Sequence, residues 1–174
     1  LGPSQWATKT VLGPSEQTRD IDLLTITNAG SSIPAAEKED IYIIGRMHAG
    51  EIASSHMLEG MIDFLVSDDI DAQAMRDNFT WYIVPMVNPD GVYLGNSRAN
   101  YEFRDLNRDW HLLNPDSGIE VITVRDHLEA INTAHGIEMF IDWHSQMSDD
   151  RWYNFTYSPP GNTFFDILYS WTTF

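Results

Sequence analysis

Ile41-Tyr42-Ile43-Ile44-Gly45-Arg46-Met47-His48-Ala49-Gly50-Glu51 runs from an apolar stretch through a glycine to a histidine and a glutamate three residues apart. The apolar part, Ile41-Gly45, reads as a buried strand: it is short, β-branched and aromatic, and it ends on glycine. Beyond it Met57, Leu58, Met61, Ile62 and Leu65 recur at helical spacing and make one buried stripe. The segment between is therefore a strand end turning into a helix, the place where open α/β sheets bind their ligands.

Working outward, Thr8-Leu12, Ile21-Thr27, Phe79-Val87 and Ile137-Trp143 are further short apolar runs with strand character. Val121, Val124, Leu128 and Ile131 form a second helical stripe, and Gly136 stands where a helix stop is expected. Strand–helix–strand alternation with mostly apolar strands predicts an α/β fold: a mixed, mostly parallel sheet with helices on both faces. The turn-rich stretch Ala29-Glu39 reads as a surface loop joining two paired strands. Repeats and low-complexity tracts are absent. Phe164-Phe174 is apolar and has neither helix stop nor polar tail, so a chain truncated on its C-terminal side is expected.

Composition narrows the function classes. The 174 residues suffice for one domain, and 43% hydrophobic with 12% aromatic content fits a globular chain. A net charge of −16, from 26 acidic and 10 basic residues, argues against a nucleic-acid partner, which would need a basic face. No apolar run is long enough to span a bilayer, so no membrane partner is expected. No signal peptide is visible at Leu1-Gly2-Pro3-Ser4. Cysteine is absent, so any metal must be held by histidine and carboxylate.

Three segments carry chemistry. His48 and Glu51 can aim at one point from a loop entering a helix, and imidazole with carboxylate suits zinc. Alone, the pair reads first as an exposed histidine with a first-turn glutamate favoured by the helix dipole. Gly50 would relieve crowding as the backbone turns around an ion. Ile141-Asp142-Trp143-His144-Ser145 ends the last strand, and His144 would complete a His2Glu set with the fourth position open. Asn88-Pro89-Asp90-Gly91 is turn chemistry. After it come Asn96-Ser97-Arg98 and Arg104-Asp105-Leu106-Asn107-Arg108-Asp109-Trp110. Arg108 offers a planar fork matched to a carboxylate and Asn107 adds amide donors. The plain alternative is surface arginines paired with Asp105 or Asp109. His56, His111, His127 and His135 read as surface or capping residues.

Taken together, Arg46-Met47-His48-Ala49-Gly50-Glu51, Val84-Pro85-Met86-Val87-Asn88-Pro89-Asp90-Gly91-Val92 and Asp105-Leu106-Asn107-Arg108-Asp109-Trp110 resemble the zinc carboxypeptidase family. The match is nearest to its cytosolic carboxypeptidase branch and bacterial relatives, and Ser67-Asp68-Asp69-Ile70-Asp71-Ala72-Gln73 resembles that branch's helix connection. The resemblance implies one zinc ion on His48, Glu51 and His144. It implies that Asp105 accepts a hydrogen bond from the far nitrogen of His48. It further implies Asn107 and Arg108 on the substrate's terminal carboxylate, and Arg98 polarising the scissile carbonyl and stabilising the oxyanion. The implied activity is hydrolysis of C-terminal residues from peptides or proteins by a metal-activated water. A cytoplasmic location is slightly favoured by the resemblance.

The family's general base, a glutamate on a late strand beyond the third ligand, has no counterpart, because the 30 residues after His144 contain no glutamate. Asp149, Asp150 and Asp166 do not sit in the family's motif. The expectation is that 1–174 is the N-terminal and central part of one zinc carboxypeptidase catalytic domain, binding zinc but hydrolysing peptides poorly or not at all. The branch usually has proline where Ala49 stands, and runs into Gly-His-Ser where this chain has Ser145-Gln146-Met147-Ser148. Two other readings stay open: an N-acyl amino acid amidohydrolase of the aspartoacylase type, and a zinc-binding but non-catalytic peptide-binding module. The nine-residue step from Arg98 to Asn107 fits the carboxypeptidase pattern better.

Overall fold

The computed structural model describes residues 4–112 and 114–145. The tail readings at Gln146-Met147-Ser148, Asp149, Asp150, Asp166 and Phe164-Phe174 lie outside the described residues.

Five strands form one sheet: β1 (Ala7–Pro14), β2 (Asp20–Ile26), β3 (Glu39–Gly45), β4 (Phe79–Val84) and β5 (Met139–Trp143), in the order β1-β2-β4-β3-β5. The sheet is mixed as expected. Its parallel pairing is confined to the half that matters for the site, β4-β3-β5, while β1-β2 and β2-β4 are antiparallel. The stretch Ala29-Glu39 does not join paired strands, since β4 lies between β2 and β3. The long strand Phe79-Val87 stops at Val84; beyond it Val87 N–H donates to Gly45 carbonyl at 3.0 Å and Asn88 N–H to Arg46 carbonyl at 3.3 Å.

Period-2 alternation along β3 explains why helices are needed on both faces. Ile41 and Ile43 face one cluster with Ile26, Ile83 and Trp81; α1 (Ile52–Leu65) covers it with Leu58, Ile62 and Leu65. Tyr42 and Ile44 face the other, with Ile21, Leu23 and Val84; α4 (Ile119–Ala134) covers it with Val121, Val124 and Leu128. Each such side chain removed from water stabilises the fold by roughly 1.5–3 kcal/mol.

Two further helices connect these layers. In α2 (Ile70–Asn78), Asp69 caps the N-terminus by accepting Asp71 N–H at 2.8 Å, and Arg76 is buried. Asn88-Pro89-Asp90-Gly91 is not a simple turn but the start of α3 (Pro89–Leu94), with Asn88 accepting Gly91 N–H at 2.9 Å and Pro89 in the first turn. Asp90, wholly buried, reaches back to the β1–β2 turn and accepts Ser15 Oγ, Gln17 N and Arg19 Nη1 at 2.8, 2.8 and 2.6 Å. Among the described residues no helix is long and apolar enough to cross a membrane.

Candidate metal and substrate site

Gly45 and Trp143 are register partners at the same end of the neighbouring parallel strands β3 and β5. His48 and His144 therefore leave the sheet side by side, and their ring centroids lie 4.7 Å apart. Arg46, with φ 54°, makes the sharp exit from β3, and Glu51 sits at the N-cap position of α1. Gly50 is required here by its neighbour. Its N–H donates to Ser97 carbonyl at 2.7 Å, and a Cβ would fall 2.6 Å from that oxygen.

The three side chains converge. Glu51 Oε1 is 2.6 Å from His48 Nδ1, its Oε2 is 2.9 Å from His144 Nδ1, and Ser145 N–H also donates to Oε2 at 2.9 Å. One ligand atom from each of His48, Glu51 and His144 lies within 4.8 Å of the other two. The far nitrogens are held as well: His48 Nε2 is 3.0 Å from Asp105 Oδ1, and His144 Nε2 is 2.8 Å from Asp142 Oδ2. Carboxylates behind both rings fix which nitrogen faces inward and raise its basicity. Two imidazoles and a carboxylate, with no thiolate, fit zinc.

Electrostatics follow from this crowding. Burial pushes the Glu51 carboxyl up, but the His144 and His48 rings and the Ser145 amide outweigh it and hold it at about 2. Burial lowers His144, yet Asp142 and Glu51 on either side raise it to about 10. Asp105 is pushed up by burial and more strongly down by Arg98 and His48, so it stays below the usual carboxylate range.

Asp105 caps a single 3-10 turn, Leu106–Arg108, and its Oδ1 also accepts Asn107 N–H at 3.1 Å. Arg98 is half-exposed and donates from Nε to Asp105 Oδ2 at 2.7 Å. Arg108 is exposed, with Nη1 donating to Asn107 carbonyl at 3.1 Å. The loop bearing Arg98 is braced by Asn96, which donates to the Ala99 and Asn100 carbonyls, and by Asn100, which accepts Glu102 and Arg104 N–H. Arg104 is paired elsewhere, with Glu102 and Asp109.

Residues 3–162 match the zinc carboxypeptidase family (Peptidase_M14). The chain belongs to the zinc carboxypeptidase family. Similar relatives include cytosolic carboxypeptidase 6 of Mus musculus, 50% identical over 99 residues, covering 57% of this chain and 18% of that protein. Cytosolic carboxypeptidase 2 of Xenopus tropicalis is 38% identical over 125 residues, 71% of this chain and 13% of that protein. Among solved structures, a metallo-carboxypeptidase from Burkholderia cenocepacia superposes with a TM-score of 0.73 at 33% identity, covering 82% of this chain and 37% of the other. The chain thus spans about a fifth or less of these relatives and about a third of the solved structure. Zinc is the family's metal, and His48, Glu51 and His144 form a group able to hold it.

Sequence reasoning passed over Asp142. Its signal was present: Asp-x-His along a strand puts both side chains on one face. His127 is not a surface residue, because its ring packs on Tyr42 and Tyr82 and its Nδ1 is 3.0 Å from Tyr42 Oη. His56 is exposed near Glu59, and His135 closes α4 through its N–H to Ile131 carbonyl.

Proposed function

We propose that these residues serve a zinc-dependent metallocarboxypeptidase that removes C-terminal residues from peptides or proteins. The observation that carries the reading is the convergence of His48, Glu51 and His144 beside a loop bearing Arg98, Asn107 and Arg108. A zinc ion held there would supply Lewis acidity at a carbonyl and lower the pKa of water.

The chain's own residues do the rest. Asp105 and Asp142 orient the two rings so that each Nδ1 faces the shared centre. Arg98, held beside His48 through Asp105, is assigned to the developing oxyanion, where one well-aimed donor contributes about 3 kcal/mol to the transition state. Asn107 and Arg108 are assigned to the terminal carboxylate, which a guanidinium fork and an amide recognise as a pair. That capture confines cleavage to chain ends. The chain covers 37% of the Burkholderia cenocepacia structure, which supports reading 1–174 as the N-terminal and central part of one catalytic domain. Relatives named cytosolic carboxypeptidases support a cytoplasmic setting.

The test compares a zinc-loaded chain with two forms of one peptide, the free acid and the C-terminal amide. Zinc-dependent preference for the free acid, reduced by Arg108→Ala, supports the reading. Equal binding of both forms contradicts it.

A further inference from the structure

We propose that Arg98 tunes the metal affinity of the site through Asp105: docked on that carboxylate, it weakens the hold of His48 on zinc, and its withdrawal strengthens it. This rests on the metal-site reading above.

The structure gives a continuous line of contacts. Arg98 Nε meets Asp105 Oδ2 at 2.7 Å; Asp105 Oδ1 meets His48 Nε2 at 3.0 Å; and His48 Nδ1 faces the ligand centre beside Glu51 Oε1 at 2.6 Å. Both oxygens of one carboxylate are therefore engaged, one by a permanent cation and the other by the ligand's ring. A carboxylate makes its partner imidazole a better donor to a metal in proportion to the negative charge it can offer. A guanidinium on the other oxygen draws off part of that charge. Asp105 cannot serve both partners fully.

The second ligand provides an internal contrast. His144 Nε2 rests on Asp142 Oδ2 at 2.8 Å, and the other oxygen of Asp142 is buried without a hydrogen-bond partner among the described residues. Asp142 thus gives its charge to His144 undivided, whereas Asp105 divides its charge among a ring, the Asn107 N–H and an arginine. The arginine in question is half-exposed and ion-paired at the edge of the site, so an incoming oxygen can compete for it. Linkage then requires reciprocity: a group that draws Arg98 from Asp105 binds more tightly to the zinc-loaded chain, and zinc binds more tightly in its presence. Occupancy of the substrate side and strength of the metal side become coupled without any movement of the backbone.

The zinc dissociation constant of the full chain, measured by competition with a chromophoric chelator, tests this in a double-mutant cycle. Arg98→Gln is expected to bind zinc roughly 3–10-fold more tightly than wild type, a fraction of the roughly 10–100-fold that a carboxylate partner of a ligand commands. Arg98→Lys, which keeps the cation, should stay near wild type. In an Asp105→Asn background the Arg98→Gln effect should vanish. Equal or weaker binding by Arg98→Gln overturns the proposal, as does Arg98→Lys binding as tightly as Arg98→Gln. A gain of the same size in the Asp105→Asn background would show plain charge repulsion and also overturn the route through Asp105. A wild-type chain that binds no zinc, by contrast, removes the metal-site reading itself.

Discussion

His48 and His144 stand 4.7 Å apart, centroid to centroid, although 96 positions separate them in the chain. Glu51 bridges their inward nitrogens and a separate carboxylate backs each ring. The arrangement is symmetrical in chemistry and asymmetrical in supply: Asp105 comes from a distant loop, Asp142 from the ligand's own strand.

The role of Asp142 can be read by truncation. Asp142→Ala frees the His144 ring to rotate and removes its basic partner. Zinc affinity should fall roughly 10–100-fold, measured by chelator competition. An unchanged affinity would mean that the packing around β5, and not this carboxylate, holds the ring.

Protons and metal compete at His144. Its folded pKa is raised from 6.5 to about 10, so the metal-free site carries a proton at neutral pH that zinc must displace. Calorimetry in buffers of different ionisation enthalpy should show proton release at pH 7, and affinity should rise from pH 7 towards 10. In the metal-free chain, the raised pKa means that stability from His144 is full below 6.5 and is lost as pH rises through about 10. Glu51, depressed from 4.5 to about 2, contributes above 4.5 and loses its contribution as pH falls through about 2. His144→Gln should abolish the alkaline limb of the thermal-stability profile. A limb of the same size in that variant would refute the assignment.

Gly50 is tightly constrained. A methyl group there meets the Ser97 carbonyl at 2.6 Å, so Gly50→Ala must push the metal loop and the Arg98 loop apart. A destabilisation of about 1–3 kcal/mol is expected from denaturant unfolding, together with weaker zinc binding. Gly60, inside α1 with open space around the missing Cβ, is the control; Gly60→Ala should stabilise the helix by roughly 0.5–1 kcal/mol.

Much of the architecture was legible because it is written in periodicity. Ile41, Tyr42, Ile43 and Ile44 announce a strand buried on both faces, and Leu58, Ile62 and Leu65 or Val121, Val124 and Leu128 announce the helices that cover it. Sheet order was less accessible, since nothing local marks β4 as the strand inserted between β2 and β3. The α2 helix was hidden because its buried face rests on Ala72 and Arg76, too small and too polar to register as a stripe. Asn88-Pro89-Asp90-Gly91 misled for another reason: the residues that favour turns are also those that cap helices. At the site, spacing and strand-end position directed attention to His48, Glu51 and His144, and the family resemblance to Asp105. Asp142 and the Gly50–Ser97 contact needed coordinates, because each matters only through what stands opposite it.

A structure of the zinc-soaked chain, with anomalous data at the zinc edge, tests the central claim most directly. The account predicts one ion bound by His48 Nδ1, Glu51 and His144 Nδ1 at roughly 2.0–2.2 Å, with Asp105 and Asp142 still behind the rings. An ion held through other residues, or no ion at all at saturating zinc, would contradict it.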